Sequence, residues 1–415
     1  VSYEAIDLAA LLALPAVAAA IYRFRPDTAA RVSVIALIGL AAGLAVLPVD
    51  RQIGGGGLVL AVSGFGKGAL WLSMLGVAIA VLAVNQRPGA DGAIAWSAQL
   101  AATLLVAARS PVLMLAVVMV IAVVLPRLEP GVELGLGWSR CLIAGAALVT
   151  AALMSSIAAP PRFSDHTTAV LLVLGFAIML GAMPFGVGLR QWLIHAPARL
   201  AILATGCLVP ALATTMVNAL ADFSQVHLAT SAGTLIAAFG ALTLILGSMA
   251  QLGASGWRDL AADGVMADLG LVMVGIGALD INGLQGASLA LLVMVLARPF
   301  LYLLEEMAMS GPWAWMGAGA ALFAACGLPP TVGFAARLLL LGSAFHIHPV
   351  LAAAVVAGIA VEIFASARLL LRIGVPLAGP EPRTGLAPLA IVVAGLVVAG
   401  GLVPAGVLTY IWNLG

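Results

Sequence analysis

Few residues of this chain could do chemistry, and those few sit in unusual surroundings. The charged side chains near or inside apolar runs are Asp222, Asp263, Asp268, Asp280, Arg298, Glu305, Glu306, Arg337, Glu362, Arg368 and Arg372. Asp268 and Glu362 stand deepest among the acids. An ionised group inside apolar sequence is costly, so it is expected to serve an ion path or to meet a partner. Pairing of such an acid with Arg298 or Arg337 would offset the desolvation cost of both. The alternative role for these two arginines is structural: capping free backbone carbonyls, or snorkelling. Glu305 and Glu306 fall at the end of a run and read as solvated.

Other reactive types are weaker. Cys141, Cys207 and Cys326 are far apart, each in an apolar stretch, and no CxxC occurs. Zinc or iron–sulfur ligation by this chain is therefore not expected, and the three read as small core residues. His346-Ile347-His348 is a short histidine pair at a helix boundary, and a metal would need further ligands. His166 and His195 also fall near predicted helix ends. Gly64-Phe65-Gly66-Lys67-Gly68 superficially resembles a phosphate loop. It has Ala61 where the motif needs glycine and Gly68 where it needs Ser or Thr, so it reads as a glycine-rich entry to a helix. No metal, redox cofactor or quinone site is expected.

The elements that must position these residues follow from composition. Of 415 residues, 63% are hydrophobic and 8% charged, with a mean hydropathy of +1.18. An ordinary globular domain is about 25% charged. A surface so poor in charge is sustainable in a bilayer, where lipid tails solvate apolar side chains. A net charge of +1, with no basic tail, excludes nucleic acid as a partner. Lys67 is the only lysine among 18 basic residues. Glu4 and Asp7 occupy the place of a positive signal-peptide segment, so the first apolar run reads as part of the mature fold.

A spanning helix needs about 20 mostly apolar residues. Fourteen segments qualify: 5–22, 32–49, 67–84, 93–108, 110–126, 139–158, 168–186, 199–219, 229–250, 264–280, 284–304, 313–341, 349–373 and 386–411. The fold class is therefore an all-α polytopic membrane protein, with residues 1–415 forming one integral domain. Segment 313–341 contains Gly327-Leu328-Pro329-Pro330, which predicts a broken helix because two successive backbone donors are missing. Odd-numbered loops and their edges hold Arg23, Arg25, Arg31, Arg87, Arg127, Arg140, Arg190, Arg199, Arg258, Arg372 and Arg383, whereas even-numbered ones hold Arg51, Arg109 and Arg162. This bias predicts cytoplasmic odd loops and both termini on the periplasmic side.

Three stretches carry a likeness to known proteins. Gly181-Ala182-Met183-Pro184-Phe185 is followed by Trp192 and Ala196-Pro197-Ala198. Trp257-Arg258-Asp259-Leu260-Ala261-Ala262 is followed by Leu269-Gly270. Gly327-Leu328-Pro329-Pro330-Thr331-Val332-Gly333-Phe334-Ala335-Ala336-Arg337 is the third. In order and spacing they resemble the antiporter-like subunits of complex I, of membrane-bound nickel–iron hydrogenases and formate hydrogenlyases, and of Mrp-type antiporters. The resemblance covers about residues 90–375. It implies fourteen helices, two inverted five-helix repeats, a broken helix marked by Gly327, Pro329, Pro330 and Gly333, and no cofactor. It also implies partners: other membrane subunits, a hydrophilic redox arm, and lipid.

Members of that family typically carry a glutamate on the fifth helix, lysines on the seventh and eighth, and a lysine or glutamate on the twelfth. The resemblance places Met119, Met179, Val209 and Arg337 at those positions, with Met294 and Arg298 in the tenth-to-eleventh region. Methionine and valine carry no proton, and arginine keeps its charge at any physiological pH. The expectation is a membrane-arm subunit in the inner membrane that lacks a complete proton channel and has no catalytic centre of its own. One alternative is an active ion-translocating subunit using Arg298, Arg337 and nearby acids such as Asp268, Glu362 and Asp222. Another is a stand-alone secondary transporter, for which Thr214-Thr215 and Asn218 are the best clustered polar residues.

Overall fold

The computed structural model describes residues 3–24, 29–50, 53–55, 58–83, 88–124, 135–158, 161–222, 226–306, 312–373 and 386–412. Arg25, Arg51, Arg87, Arg127 and Arg383, which contribute to the orientation bias, lie outside the described residues, as does the loop 374–385.

The first half contains α1 (Tyr3–Phe24), α2 (Ala29–Val46), a hairpin of β1 (Ile53–Gly55) and β2 (Leu58–Leu60), α3 (Gly64–Ala83), α4 (Pro88–Ala107), α5 (Pro111–Val124), α6 (Gly135–Ala158) and α7 (Pro161–Leu180). A short helix α8 (Val187–His195) leads to α9 (Ala198–Leu203), which continues through a π-helical turn at Ala204–Leu208 into α10 (Val209–Asp222). Then follow α11 (Val226–Gln251), α12 (Trp257–Gly277), α13 (Ile281–Glu306), α14 (Pro312–Ala325), α15 (Val332–Ile347), α16 (Pro349–Ile373), α17 (Leu386–Leu402) and α18 (Pro404–Val407). Six helices begin on a proline: α4, α5, α7, α14, α16 and α18. At a first helical position the missing N–H is an orphan anyway, and the fixed φ favours entry.

Each of the fourteen apolar segments overlaps at least one of these helices, and 199–219, 313–341 and 386–411 each overlap two. Among the described residues, six helices are long and apolar enough to cross a membrane by length and composition, and eight shorter apolar helices accompany them. The protein is a multi-pass membrane protein. Two details differ from the sequence reading. Segment 168–186 ends at Leu180, because Gly181 turns the chain at φ +74° ahead of Pro184. The last segment stops at Leu402, where Val403 leaves helical geometry.

The tightest packing lies in the second half, where α12 sits between α11 and α13, and α15 and α16 close over them. Gly233, Gly240 and Gly247 recur every seven residues on α11. A Cβ on each would come within 2.7 Å of Gly277 O, Gly270 O or Ala267 N of α12. Small residues at such a seam let two backbones touch, which is how helices gain dispersion energy where no hydrophobic drive separates them from lipid. The most apolar stretches of α12 and α13 are wholly buried, whereas only a third of that of α16 is. These two helices are the centre of the fold.

One end of the bundle carries three of the described ion pairs. Arg199 meets Asp91 at 3.2 Å, Arg258 meets Glu306 at 2.9 Å, and Arg190 grips Asp263 through two nitrogens. This is the end bearing the odd-numbered loops, called the arginine-rich face below. The opposite face holds the hairpin and a looser pair, Arg109–Asp50, at 3.9 Å.

Candidate functional site

Asp268 lies eleven residues into α12. At 1.5 Å per residue this is about 16 Å from the helix start, near the middle of a hydrocarbon layer about 30 Å thick. There it accepts a hydrogen bond from Arg298 Nε of α13 at 2.7 Å. Arg298 Nη2 donates to Glu362 Oε1 of α16 at 2.8 Å. The other carboxylate oxygen of Glu362 accepts from Arg337 Nη2 of α15 at 2.5 Å. Two acids and two arginines from four helices thus form one chain of contacts. Asp268 and Glu362 are buried, Arg298 is fully buried and Arg337 nearly so. Ionised throughout, the cluster sums to zero charge. Balance of this kind is the condition under which charges persist at membrane depth.

The broken helix explains the position of Arg337. In a continuous helix the carbonyls of Ala325 and Cys326 would accept from residues 329 and 330. Both are prolines and have no N–H. The chain closes α14 with Gly327 N–H to Ala324 O and Leu328 N–H to Phe323 O, at 3.0 and 2.9 Å. Ala325 O is left over, and Arg337 Nη2 donates to it. The guanidinium therefore joins the end of α14 to Glu362.

Glycines make room for both arginines. Gly327 adopts φ +64°, a conformation L side chains rarely take, and a Cβ there would lie 2.4 Å from Arg337 Cδ. Gly264 of α12 faces Arg298 in the same way. Gly333 lies against the carbonyl of Ala324, which fixes the start of α15 on the end of α14.

The other residues singled out in the sequence are elsewhere. Met179 and Val209 are fully buried among apolar neighbours. Met119 is 42% exposed on the outer face of α5, whereas Val118 beside it is 1% exposed. The inward position on that helix is therefore Val118, also without a proton. Asp222 ends α10, and its side chain lies outside the described residues, as does that of His166. Asp280 caps α13, accepting from Gly283 N–H at 2.5 Å and from Ser343 Oγ at 3.0 Å. Lys67 sits in the first turn of α3 and donates to Leu47 O at 3.3 Å. His348 Nδ1 accepts from Val350 N–H at 3.2 Å, and His195 Nδ1 lies 2.8 Å from Gln191 O. Among the described residues no group of three metal-ligating side chains occurs.

Sequence reading missed two features. The helix α8 is too short to register as a span, and its Arg190 meets Asp263 across 73 positions. Glu305 and Glu306 are exposed, in keeping with solvation, but they also tie helix ends together. Glu305 accepts from Arg258 N–H at 2.7 Å, and Glu306 accepts from Arg258 Nη2 and from Ala198 N–H at the start of α9. A carboxylate at a helix N-terminus satisfies orphan donors and complements the dipole.

No family model matches the sequence. NADH-quinone oxidoreductase subunit N 2 of Solidesulfovibrio magneticus is 30% identical over 206 residues, covering 44% of this chain and 43% of the relative. The match thus spans less than half the length of that relative. A chain of respiratory complex I from Thermus thermophilus superposes with a TM-score of 0.78 at 19% identity, over 97% of this chain and 98% of that one. A chain of the Mrp complex from Dietzia sp. gives 0.84 at 18% identity, over 100% and 52%. A chain of an archaeal membrane-bound sulfane sulfur reductase gives 0.76 at 18% identity, over 95% and 76%. The chain is thus similar, over part of its length, to NADH-quinone oxidoreductase subunit N 2, and shares the fold of these chains of respiratory complex I, the Mrp complex and the sulfane sulfur reductase.

Proposed function

We propose that this chain is a membrane-arm subunit of a multisubunit redox-driven or ion-translocating complex, that it lacks a complete proton channel, and that it serves assembly and spacing. The observation that carries this reading is the distribution of buried charge. Among the described residues, every buried ionised side chain belongs to α12, α13, α15 or α16. The buried polar residues of α3, α4 and the α9–α10 span are Ser73, Gln99, Thr103, Thr205, Thr214, Thr215 and Asn218, none of which titrates near neutrality. Both bases of the cluster are arginines, which do not release a proton at physiological pH.

In this reading fourteen spans cross the inner membrane, arranged as two inverted five-helix repeats. Odd loops face the cytoplasm and both termini the periplasm. Further membrane subunits flank the chain laterally, and a hydrophilic redox arm supplies the electron chemistry. The test is gentle solubilisation with this chain tagged, followed by mass spectrometry of what accompanies it. Membrane and redox subunits in fixed ratio support the reading, and a chain that purifies alone removes it.

A second reading is active translocation through Asp268, Arg298, Glu362 and Arg337. It is favoured by the depth of the cluster and its contact with a broken helix, a combination that marks ion sites in transporters. Asp268→Asn in the assembled complex separates the two. Lost ion pumping with surviving electron transfer supports translocation, and unchanged pumping supports the structural role.

A further inference from the structure

Far from the ion cluster, the packing between α4, α5 and α9 is incomplete. α5 rests on α4 and α6, and a cavity of about 360 Å³ lies between it and α9. The walls are α4 between 93 and 101 and α5 between 120 and 124. The floor is α9 and the π-helical turn, between 200 and 208. Trp192 of α8 lines the end nearest the arginine-rich face.

The cavity is a slot that runs along the helix axes. α4 and α9 both start at the arginine-rich face, where Asp91 and Arg199 pair at 3.2 Å beside its mouth. From 93 to 101, α4 rises about 12 Å. The slot therefore stays within one leaflet of a hydrocarbon layer about 30 Å thick. Its deep end, at Ala101 and Leu208, is apolar. On the side of α5 it meets the outer surface, since Val120 is 62% exposed and Val124 43%.

Water does not suit this space. By volume it would hold about twelve molecules, each in need of two to four polar partners. Ser97 and the Trp192 indole are the only polar side chains among the lining residues. Apolar cavities stay dry and accept apolar ligands. Left empty, the lining would forfeit its dispersion contacts on one side.

We propose that this slot binds one acyl chain of a phospholipid from the leaflet at the arginine-rich face. The headgroup lies at the level of Arg199 and Trp192, and the tail lies against the π-helical turn. The direction of polarity selects this occupant: polar groups stand at the membrane surface and the buried end has none, so a quinone head would go unsatisfied there. The gain comes from packing rather than from escape from water, because a lipid tail is already in an apolar solvent. The bound chain completes the contact of α5 with α9. The site does not depend on which complex holds the chain or on whether it moves ions, so its failure leaves the proposed role untouched.

The test is photolabelling of the protein in its native membrane assembly with a phosphatidylethanolamine carrying a diazirine at the middle of one acyl chain. Labelled positions are read by mass spectrometry after a detergent wash. Lipid on the outer surface reaches Val123 but not Leu203 or Leu208, which are 4% and 6% exposed and line the slot. Label is expected at 203–208. It should fall at least tenfold in Ala98→Phe, which fills the slot from α4, and stay unchanged in Ala116→Phe, at an exposed position of α5 outside the slot. Val120→Trp fills the slot from its open side and replaces Ala98→Phe if that variant does not assemble. Label confined to the outer face of α5 overturns the site, and so does label at 203–208 that persists in the filled variants. Label at 203–208 from a diazirine-bearing quinone, undisplaced by excess phospholipid, assigns the slot to an isoprenoid tail and overturns the phospholipid.

Discussion

The Arg298 guanidinium occupies the space that a side chain on Gly264 would need: a Cβ there would come within 2.1 Å of Nη1. Neither group can yield easily, since Arg298 is fully buried and held by Asp268 and Glu362. Gly264→Ala is therefore expected to lower stability by at least the roughly 1–3 kcal/mol typical of overpacking. At Gly319 of α14 a Cβ would meet nothing within 4 Å. Gly319→Ala should be neutral or gain up to about 1 kcal/mol from helix propensity. Thermal unfolding of the two variants in the same detergent checks the contrast. Equal midpoints would show that the arginine does not need the glycine.

Glu362 should be the costliest member of the cluster to remove, because it serves two arginines with its two oxygens. Glu362→Ala leaves Arg337 with a carbonyl alone and Arg298 with only Asp268. Breaking a buried pair from one side costs about 3–5 kcal/mol, whereas replacing both partners by apolar groups is often near neutral. The double variant Glu362→Leu with Arg337→Met should therefore lose less than the sum of the single changes. A double-mutant cycle on unfolding free energy measures the difference. Additive losses would mean that the 2.5 Å contact carries no coupling.

Much of this arrangement was legible in the sequence, for identifiable reasons. Apolar runs of spanning length mark helices because a bilayer leaves the backbone no other way to satisfy itself. Pro329 and Pro330 mark the break because they remove two donors in succession. Asp268 and Glu362 could be named because acids are rare inside such runs. Arg298 and Arg337 could be named as candidate partners, but not which acid each would meet, because Arg298 is 64 positions from Glu362 and Arg337 is 25. Which helices become neighbours depends on small-residue seams such as Gly240 against Gly270, and those are not local signals. The outward turn of Met119 was hidden for a related reason. α5 is apolar on every side, so periodicity does not say which face meets protein and which meets lipid.

At the arginine-rich face, Glu306 should act as a clasp. It accepts from Ala198 N–H at the first turn of α9 and from Arg258 Nη2, so the end of α13 is fastened to the starts of two other helices. Glu306→Ala removes a cap, a change worth about 0.5–2 kcal/mol. The loss should appear locally, as faster amide exchange in the first turn of α9, with the central cluster unaffected. Glu306→Gln should recover part of the protection, since the amide oxygen still accepts. Uniform loss of protection across α12 and α13 would contradict a local clasp.

The broken helix should depend on α17 as well as on Arg337. Gly401 is packed so tightly on the break that a Cβ there would lie 2.0 Å from Pro330 O and 2.3 Å from Thr331 C. Both neighbours are backbone, so neither can rotate away, and Gly401→Ala must push α17 outward or shift the segment from 329 to 331. Shifting that segment moves Val332 and the start of α15, and with it the helix that carries Arg337. The substitution is therefore expected to raise amide exchange at 326–334 and to weaken the coupling between Arg337 and Glu362. Gly395→Ala, on the same helix with nothing within 4 Å, serves as the control. If α17 alone gives way, exchange rises around residue 401 while the coupling measured between Arg337 and Glu362 stays at its original value. That outcome would make the break self-supporting, held by its prolines and by the bond from Arg337 to Ala325.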